Sequence, residues 1–159
     1  MKRILLLVAC SLLVCSSAAM AQSVVDTKWH CPKQSVEHKI EVGDVPDHSY
    51  MILQGACNAT SSHSGFPEKT GVYTEFQEIW KASITFHGRF NVTMDNGDKV
   101  YYTYEGSAPT DFTKPFSQKM KILSGTGKYK GIKGTGTCSE KINADIADLT
   151  CTGTYSMGK

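Results

Sequence analysis

The chain has 159 residues, enough for one domain, with 40% hydrophobic and 20% charged residues, six cysteines, fourteen glycines and five prolines. That balance supports a single apolar core and excludes collagen-like, coiled-coil, polybasic and disordered classes. The formal net charge of +2 lacks the basic surplus of a nucleic-acid binder, so no nucleic-acid partner is expected.

Residues 1–21 read as a secretory signal. Lys2 and Arg3 precede an almost unbroken apolar run over residues 4–14, and Ala19-Met20-Ala21 sets small residues before the cleavage point. The run is shorter than the ~20 residues of a membrane-spanning helix, so a removed signal is preferred to a transmembrane anchor. Leu7-Val8-Ala9-Cys10 resembles a lipobox, but the apolar stretch before it is very short, and Cys10 and Cys15 fit better as apolar members of the signal. Cleavage after Ala21 leaves one domain over residues 22–159, in which 15 basic side chains balance 15 acidic ones. The expected location is the periplasm or the medium.

Four cysteines then remain, Cys31, Cys57, Cys138 and Cys151. An even number in an exported chain points to two disulfides, for which three connectivities exist. None forms a C-x-x-C pair, and the histidines show no short ligand spacing, so no metal site and no cofactor are expected.

The mature chain is dominated by strand signals. Residues 36–42 alternate with period two and place Val36, His38, Ile40 and Val42 on one face. Residues 43–47, with Gly43 and Pro46, form a turn, and a second strand spans 49–57. A hairpin centred near Val45 brings Cys57 close to Cys31, so these two are paired after a small register adjustment. Residues 59–70 read as a polar loop, and Asn58 and Asn91 stand in glycosylation sequons.

A long strand is expected over 78–94, with Trp80, Ala82, Ile84, Phe86, Phe90, Val92 and Met94 on its even face. Gly88 on that face marks a bulge or a barrel corner. Asp95-Asn96-Gly97-Asp98 is a hairpin turn, because Asn-Gly supplies positive φ readily. The partner strand runs over 100–105, with Tyr102 and Tyr104 on one side. After a loop over 106–115, a strand spans 116–123 and a glycine- and lysine-rich stretch follows. Two closing strands, 135–142 and 149–157, form a hairpin; centring it between Ala144 and Asp145 sets Cys138 opposite Cys151. Eight or nine short antiparallel strands without crossover helices mean a sandwich or a barrel. Gly88 and the glycine-rich late strands favour a single all-β, eight-stranded antiparallel barrel with two disulfides.

Asn96-Gly97-Asp98-Lys99-Val100-Tyr101-Tyr102 and the stretch from Leu123-Ser124-Gly125-Thr126-Gly127-Lys128-Tyr129 to Gly136 resemble the allene-oxide-cyclase-like barrels, and dirigent proteins carry a similar Gly-Thr-Gly-Lys-Tyr phrase. The likeness covers residues 78–155, about half of the mature chain, and suits an uncharacterised exported bacterial member. It implies an eight-stranded barrel, often a homo-oligomer, around an apolar cavity. Plant members cyclise an unsaturated epoxide, but no catalytic residue of theirs maps onto a position here.

The glycine-rich stretch is not a phosphate loop. A P-loop needs glycine where Ile122 stands, and Tyr129 replaces the hydroxyl residue after Lys128. Lys119, Lys121, Lys128, Lys130 and Lys133 form a basic cluster, read as a solvated face. Arg89 and Glu105 are placed to pair across their hairpin, an interaction worth little when exposed. No nucleophile motif is present, so no catalytic residue is assigned. His38, expected on the inner face, and the aromatics Trp80, Phe86, Phe90, Tyr102 and Tyr104 are the candidate ligand-binding residues, with Tyr155 as a further member of the aromatic set. The expected function is binding of a small apolar or amphipathic molecule, or an envelope interaction module. The alternative is a cyclase or isomerase of the allene-oxide-cyclase type.

Overall fold

The computed structural model describes residues 23–158. The secretory signal expected over 1–21 lies outside the described residues. Nine strands follow in chain order: β1 (Ser23–Cys31), β2 (Val36–Glu41), β3 (Ser49–Ser62), β4 (Glu68–Ile79), β5 (Ser83–Met94), β6 (Lys99–Pro109), β7 (Phe116–Gly125), β8 (Lys133–Asn143) and β9 (Ile146–Ser156). All pair antiparallel. The order is β1-β9-β8-β7-β6-β5-β4-β3-β2, and an additional β1–β3 pairing closes eight of them into a barrel with β2 outside it. The expected all-β barrel is therefore observed, with one extra strand. No helix among the described residues is long and apolar enough to cross a membrane.

Both expected disulfides are present, Cys31–Cys57 and Cys138–Cys151. Cys138 stands directly opposite Cys151 in the β8–β9 ladder, across a turn in which Ala144 takes a φ of 54°. The first bridge needs the chain between β1 and β2 to take up slack. His30 lies opposite Asn58 and Val36 opposite Gln54, so residues 31–35 span more chain than residues 55–57 across from them. The two extra residues in this segment bring Cys31 level with Cys57.

Several boundaries differ from the expected ones. β1 is a strand not expected from the sequence, with Val25, Thr27, Trp29 and Cys31 as its buried residues. The polar stretch 59–70 is mostly ladder, since β3 runs to Ser62 and β4 starts at Glu68. The long strand expected over 78–94 is two strands that reverse at Trp80, where Trp80 and Ser83 exchange backbone hydrogen bonds of 2.8 and 3.3 Å around Lys81 and Ala82. That turn has no Gly, Pro or Asn to announce it. β6 extends to Pro109 and shortens the following loop.

Gly88 is not a bulge. The β4–β5–β6 register runs through it without interruption, and a Cβ there would collide with the Tyr104 ring opposite. The ladder irregularities sit instead at Lys28/Trp29, Glu68/Thr70 and Tyr101/Tyr102.

The two ends of the barrel are built differently. At one end Phe66, Val92, Met94, Val100 and Ile132 are fully buried, and the interior is filled apart from a void of about 20 Å3 beside Glu68 and Tyr102. Within this floor Glu68 accepts hydrogen bonds from Tyr102 Oη at 2.6 Å and Thr27 Oγ1 at 2.5 Å. A buried carboxyl is tolerated when its oxygens find donors. Burial still raises the Glu68 pKa, against the lowering effect of those two donors. At the opposite end the side chains leave a space.

Candidate functional site

That space is a cavity of about 470 Å3 between the barrel mouth and its middle, within the usual range for small-molecule sites. Its apolar wall includes Trp29, Leu53, Ile79, Ile84, Phe90, Phe112, Met120 and Leu149, together with both disulfides. Pro32, Gln34 and Glu37 border the mouth on one side, and Ala144, Asp145 and Ile146 of the β8–β9 turn on the other. Lys33 Nζ bridges these rims to Asp145 at 3.5 Å, an exposed and weak contact.

One patch of the wall is polar. β4 contributes Tyr73, Glu75 and Gln77, β6 Tyr104, β7 Gln118 and β8 Glu140. Gln77 Nε2 donates to Glu75 Oε1 at 2.6 Å, and Gln118 Nε2 donates to Glu140 Oε2 at 3.1 Å. Burial raises the Glu75 pKa, against the donors Gln77 and Tyr104. Burial, reinforced by the charge of Glu75, pushes Glu140 up to about 8. Burial and the two glutamates likewise push Tyr73 up to about 12 and hold Tyr104 well above the usual phenol range. Two carboxyls in one dry wall disfavour double ionisation, so near neutral pH the pair retains a proton.

The aromatics sort into four places. Phe90 and Tyr104 line the cavity. Tyr102 is in the floor on Glu68, and Phe86 is buried against Phe116, 5.8 Å between ring centroids, outside the cavity wall. Tyr155 packs on Phe66 in the floor, with ring centroids 4.6 Å apart. Trp80 lies outside the barrel, 39% exposed and stacked on His48 at 3.7 Å. His48 in turn meets Asp44 through Nδ1 at 2.7 Å and Glu78 through Nε2 at 3.2 Å.

His38 is exposed on β2, opposite the half-exposed Ile52, and not on an inner face. Its alternation with Val36 and Ile40 is genuine, but β2 has no core behind it: Ile40 is 64% exposed. Arg89 stands opposite Thr103, while Glu105 faces His87 and Lys119, so the expected Arg89–Glu105 pair is not formed. The five lysines of the basic cluster are all exposed.

The polar wall was missed because it falsifies the usual pattern. In β4 the inward residues are Tyr73, Glu75 and Gln77, so alternation marks the wrong face as buried. Gln118 and Glu140 were within reach of parity: Gln118 shares a face with Met120 and Ile122, and Glu140 with the half-cystine Cys138. Among the described residues no cluster of His, Cys, Asp and Glu is arranged to hold a metal ion.

No family profile matches the chain. A molybdenum cofactor sulfurase of Aspergillus terreus is 29% identical over 94 residues, covering 58% of this chain, which spans only 11% of that protein's length. Three solved structures share the architecture. A protein of unknown function from Clostridium acetobutylicum superposes with a TM-score of 0.57 at 12% identity, over 84% of this chain and 97% of its own. A pterocarpan synthase dirigent protein gives 0.54 at 9% identity, over 86% and 90%. A conserved protein of unknown function from Rhodopseudomonas palustris gives 0.54 at 12%, over 84% and 97%. At these identities the likeness shows the antiparallel barrel fold alone.

Proposed function

We propose that the protein is an exported, non-catalytic barrel that binds a small amphipathic molecule in its cavity. The observation that carries this is the cavity itself: one end of the barrel is filled, while the other leaves about 470 Å3 walled by apolar side chains with a single polar patch. A barrel of this size can fill its interior completely. Here glutamates and glutamines stand where aliphatic residues would pack, which costs stability unless they serve a ligand. Two disulfides are compatible with an oxidising compartment.

Native mass spectrometry of the oxidised protein, purified without detergent after export, tests the reading. The expected result is a bound mass that disappears on denaturation. Ala147→Trp, which adds bulk to the wall, should abolish it. A bare mass, together with no uptake of small amphiphiles added in excess, overturns the proposal.

The second reading, an isomerase or cyclase acting on a hydrophobic substrate, is favoured by one feature. Glu140, with a pKa of about 8 beside Glu75, is suited to donate and recover a proton near neutral pH. Substrate turnover that is lost in Glu140→Gln while ligand uptake persists would favour it.

A further inference from the structure

We infer that the cavity takes an amphipathic primary amine, its ammonium group seated among Glu75, Glu140 and Gln118 and its hydrocarbon along the apolar wall. The inference rests on the cavity being a ligand site, as proposed above, and names the chemistry of the ligand's polar end.

The argument is a donor and acceptor inventory. Three donors of the polar wall are committed to the carboxylates: Gln77 and Tyr104 to Glu75, and the Gln118 amide to Glu140. Beside the Tyr73 hydroxyl and the proton that the pair retains, the wall offers mainly acceptors. Gln118 is only 6% exposed, yet its Oε1 has no hydrogen-bond partner. A buried amide oxygen left without a donor is unfavourable, and a small turn of the Gln118 side chain toward the cavity would let a ligand N–H complete it. The ion pairs among the described residues leave Glu75 and Glu140 without a basic partner.

A primary ammonium brings three N–H donors and one positive charge, which matches both deficits. A carboxylate ligand would add negative charge beside a pair that already resists double ionisation, and an alcohol would supply one donor and no charge. The Tyr73 and Tyr104 rings in the same wall offer π-faces that also favour a cation.

Every strand around the cavity faces the pair with titratable groups or with none. Tyr73 lies on β4, Tyr104 on β6 and the neutral Gln118 on β7, while β1, β3, β5 and β9 present Trp29, Leu53, Ile84, Phe90, Leu149 and the cystines. At the mouth stand Glu37 and Asp145, with Lys33 held on Asp145. The field is therefore acidic from rim to wall, and entry of a cation is favoured. Because Glu140 holds its proton up to about pH 8, seating an ammonium releases that proton, and affinity should rise with pH.

The test is calorimetric titration of the oxidised protein with n-octylammonium, 1-octanol and octanoate, which share one tail. At pH 8 octylammonium should bind at least tenfold tighter than octanol, with octanoate weakest. Its affinity should increase severalfold from pH 6 to pH 9. Glu75→Gln combined with Glu140→Gln, with folding checked by near-ultraviolet circular dichroism, should bring the amine-to-alcohol ratio to within about twofold. If that variant does not fold, the pH series on the natural protein and the single Glu140→Gln variant decide. Octanol or octanoate binding as tightly as the amine, or an amine affinity flat with pH, overturns the cation inference and leaves the cavity reading standing. Silence from all three probes overturns the cavity reading, and this inference with it.

Discussion

Tyr104 stands directly opposite Gly88 in the β5–β6 ladder, and its ring occupies the space a side chain at position 88 would need. A Cβ there would also lie 2.7 Å from the Thr74 carbonyl oxygen, so the backbone crowds it as well as the ring, which comes to 2.4 Å. This position lets the Tyr104 hydroxyl approach Glu75 in the cavity wall. Phe90 uses Gly71 in the same way from the neighbouring strand pair.

Gly88→Ala should therefore displace Tyr104 and destabilise the fold by about 2 kcal/mol, the usual cost of overpacking. Urea denaturation under oxidising conditions measures it. Because Tyr104 lines the cavity, ligand affinity should fall together with stability.

Protonation provides a second prediction. The folded chain keeps a proton on Glu140 up to about pH 8, whereas an unfolded glutamate releases it near its ordinary 4.5. Across that window the native state binds more protons than the unfolded state, so stability declines as pH rises and levels off above about 8. Burial raises Glu68 and Glu75 in the same sense. Thermal melts from pH 5 to pH 8.5 should show a falling midpoint, and Glu140→Gln should flatten part of the fall. A midpoint that rises across this range contradicts the assignment.

His48 gives a local titration. Burial pulls its pKa down, but hydrogen bonds to Asp44 and Glu78 outweigh that and raise it. A raised histidine contributes stability that is fully present below its unfolded pKa and lost as pH rises through the folded one. Asp44→Asn should move the His48 resonance toward a lower pKa in an NMR titration, while Glu78 still holds the other nitrogen.

The disulfides should not be equivalent. Cys31–Cys57 has a sequence separation of 26 and Cys138–Cys151 one of 13. Doubling a loop adds about 0.6 kcal/mol of closure entropy, on a base of roughly 2–4 kcal/mol per bridge. The longer bridge also sits at the β1–β3 seam, which has only four register pairs. Replacing Cys31 and Cys57 by alanine should thus cost more than replacing Cys138 and Cys151, as read by denaturation midpoints.

His38→Ala should leave ligand affinity within twofold of the natural protein, since His38 is exposed on β2 and does not line the cavity. A large loss on titration with the same ligand would place the binding surface outside the barrel.

What the sequence disclosed follows a physical divide. Turn chemistry and cysteine parity act locally, so the Asn96-Gly97 hairpin, the β8–β9 hairpin and both disulfide pairings were legible. The inward set Phe86, Phe90, Tyr102 and Tyr104 was legible too, because strict alternation in β5 and β6 records a packed face. β4 was not, since a cavity wall carries Tyr73, Glu75 and Gln77 where alternation expects apolar residues. The Lys81-Ala82 turn conceals itself for want of a glycine or proline. His38 failed for the converse reason: β2 has the pattern of a buried strand but pairs beyond the barrel wall, where Ile40 and Ile52 face solvent.

Keeping the mouth open leaves β2 hydrogen-bonded, among the described residues, to β3 alone. A strand with an unpaired side is a template on which another chain can stack. Glu37, Lys39 and Glu41 recur at every second position of β2, and Lys39 Nζ is paired with Glu41 Oε1 at 2.8 Å. An incoming strand would have to accommodate these charges beside its own backbone. The same three side chains that make β2 useless as core thus guard the open barrel against polymerising through its rim.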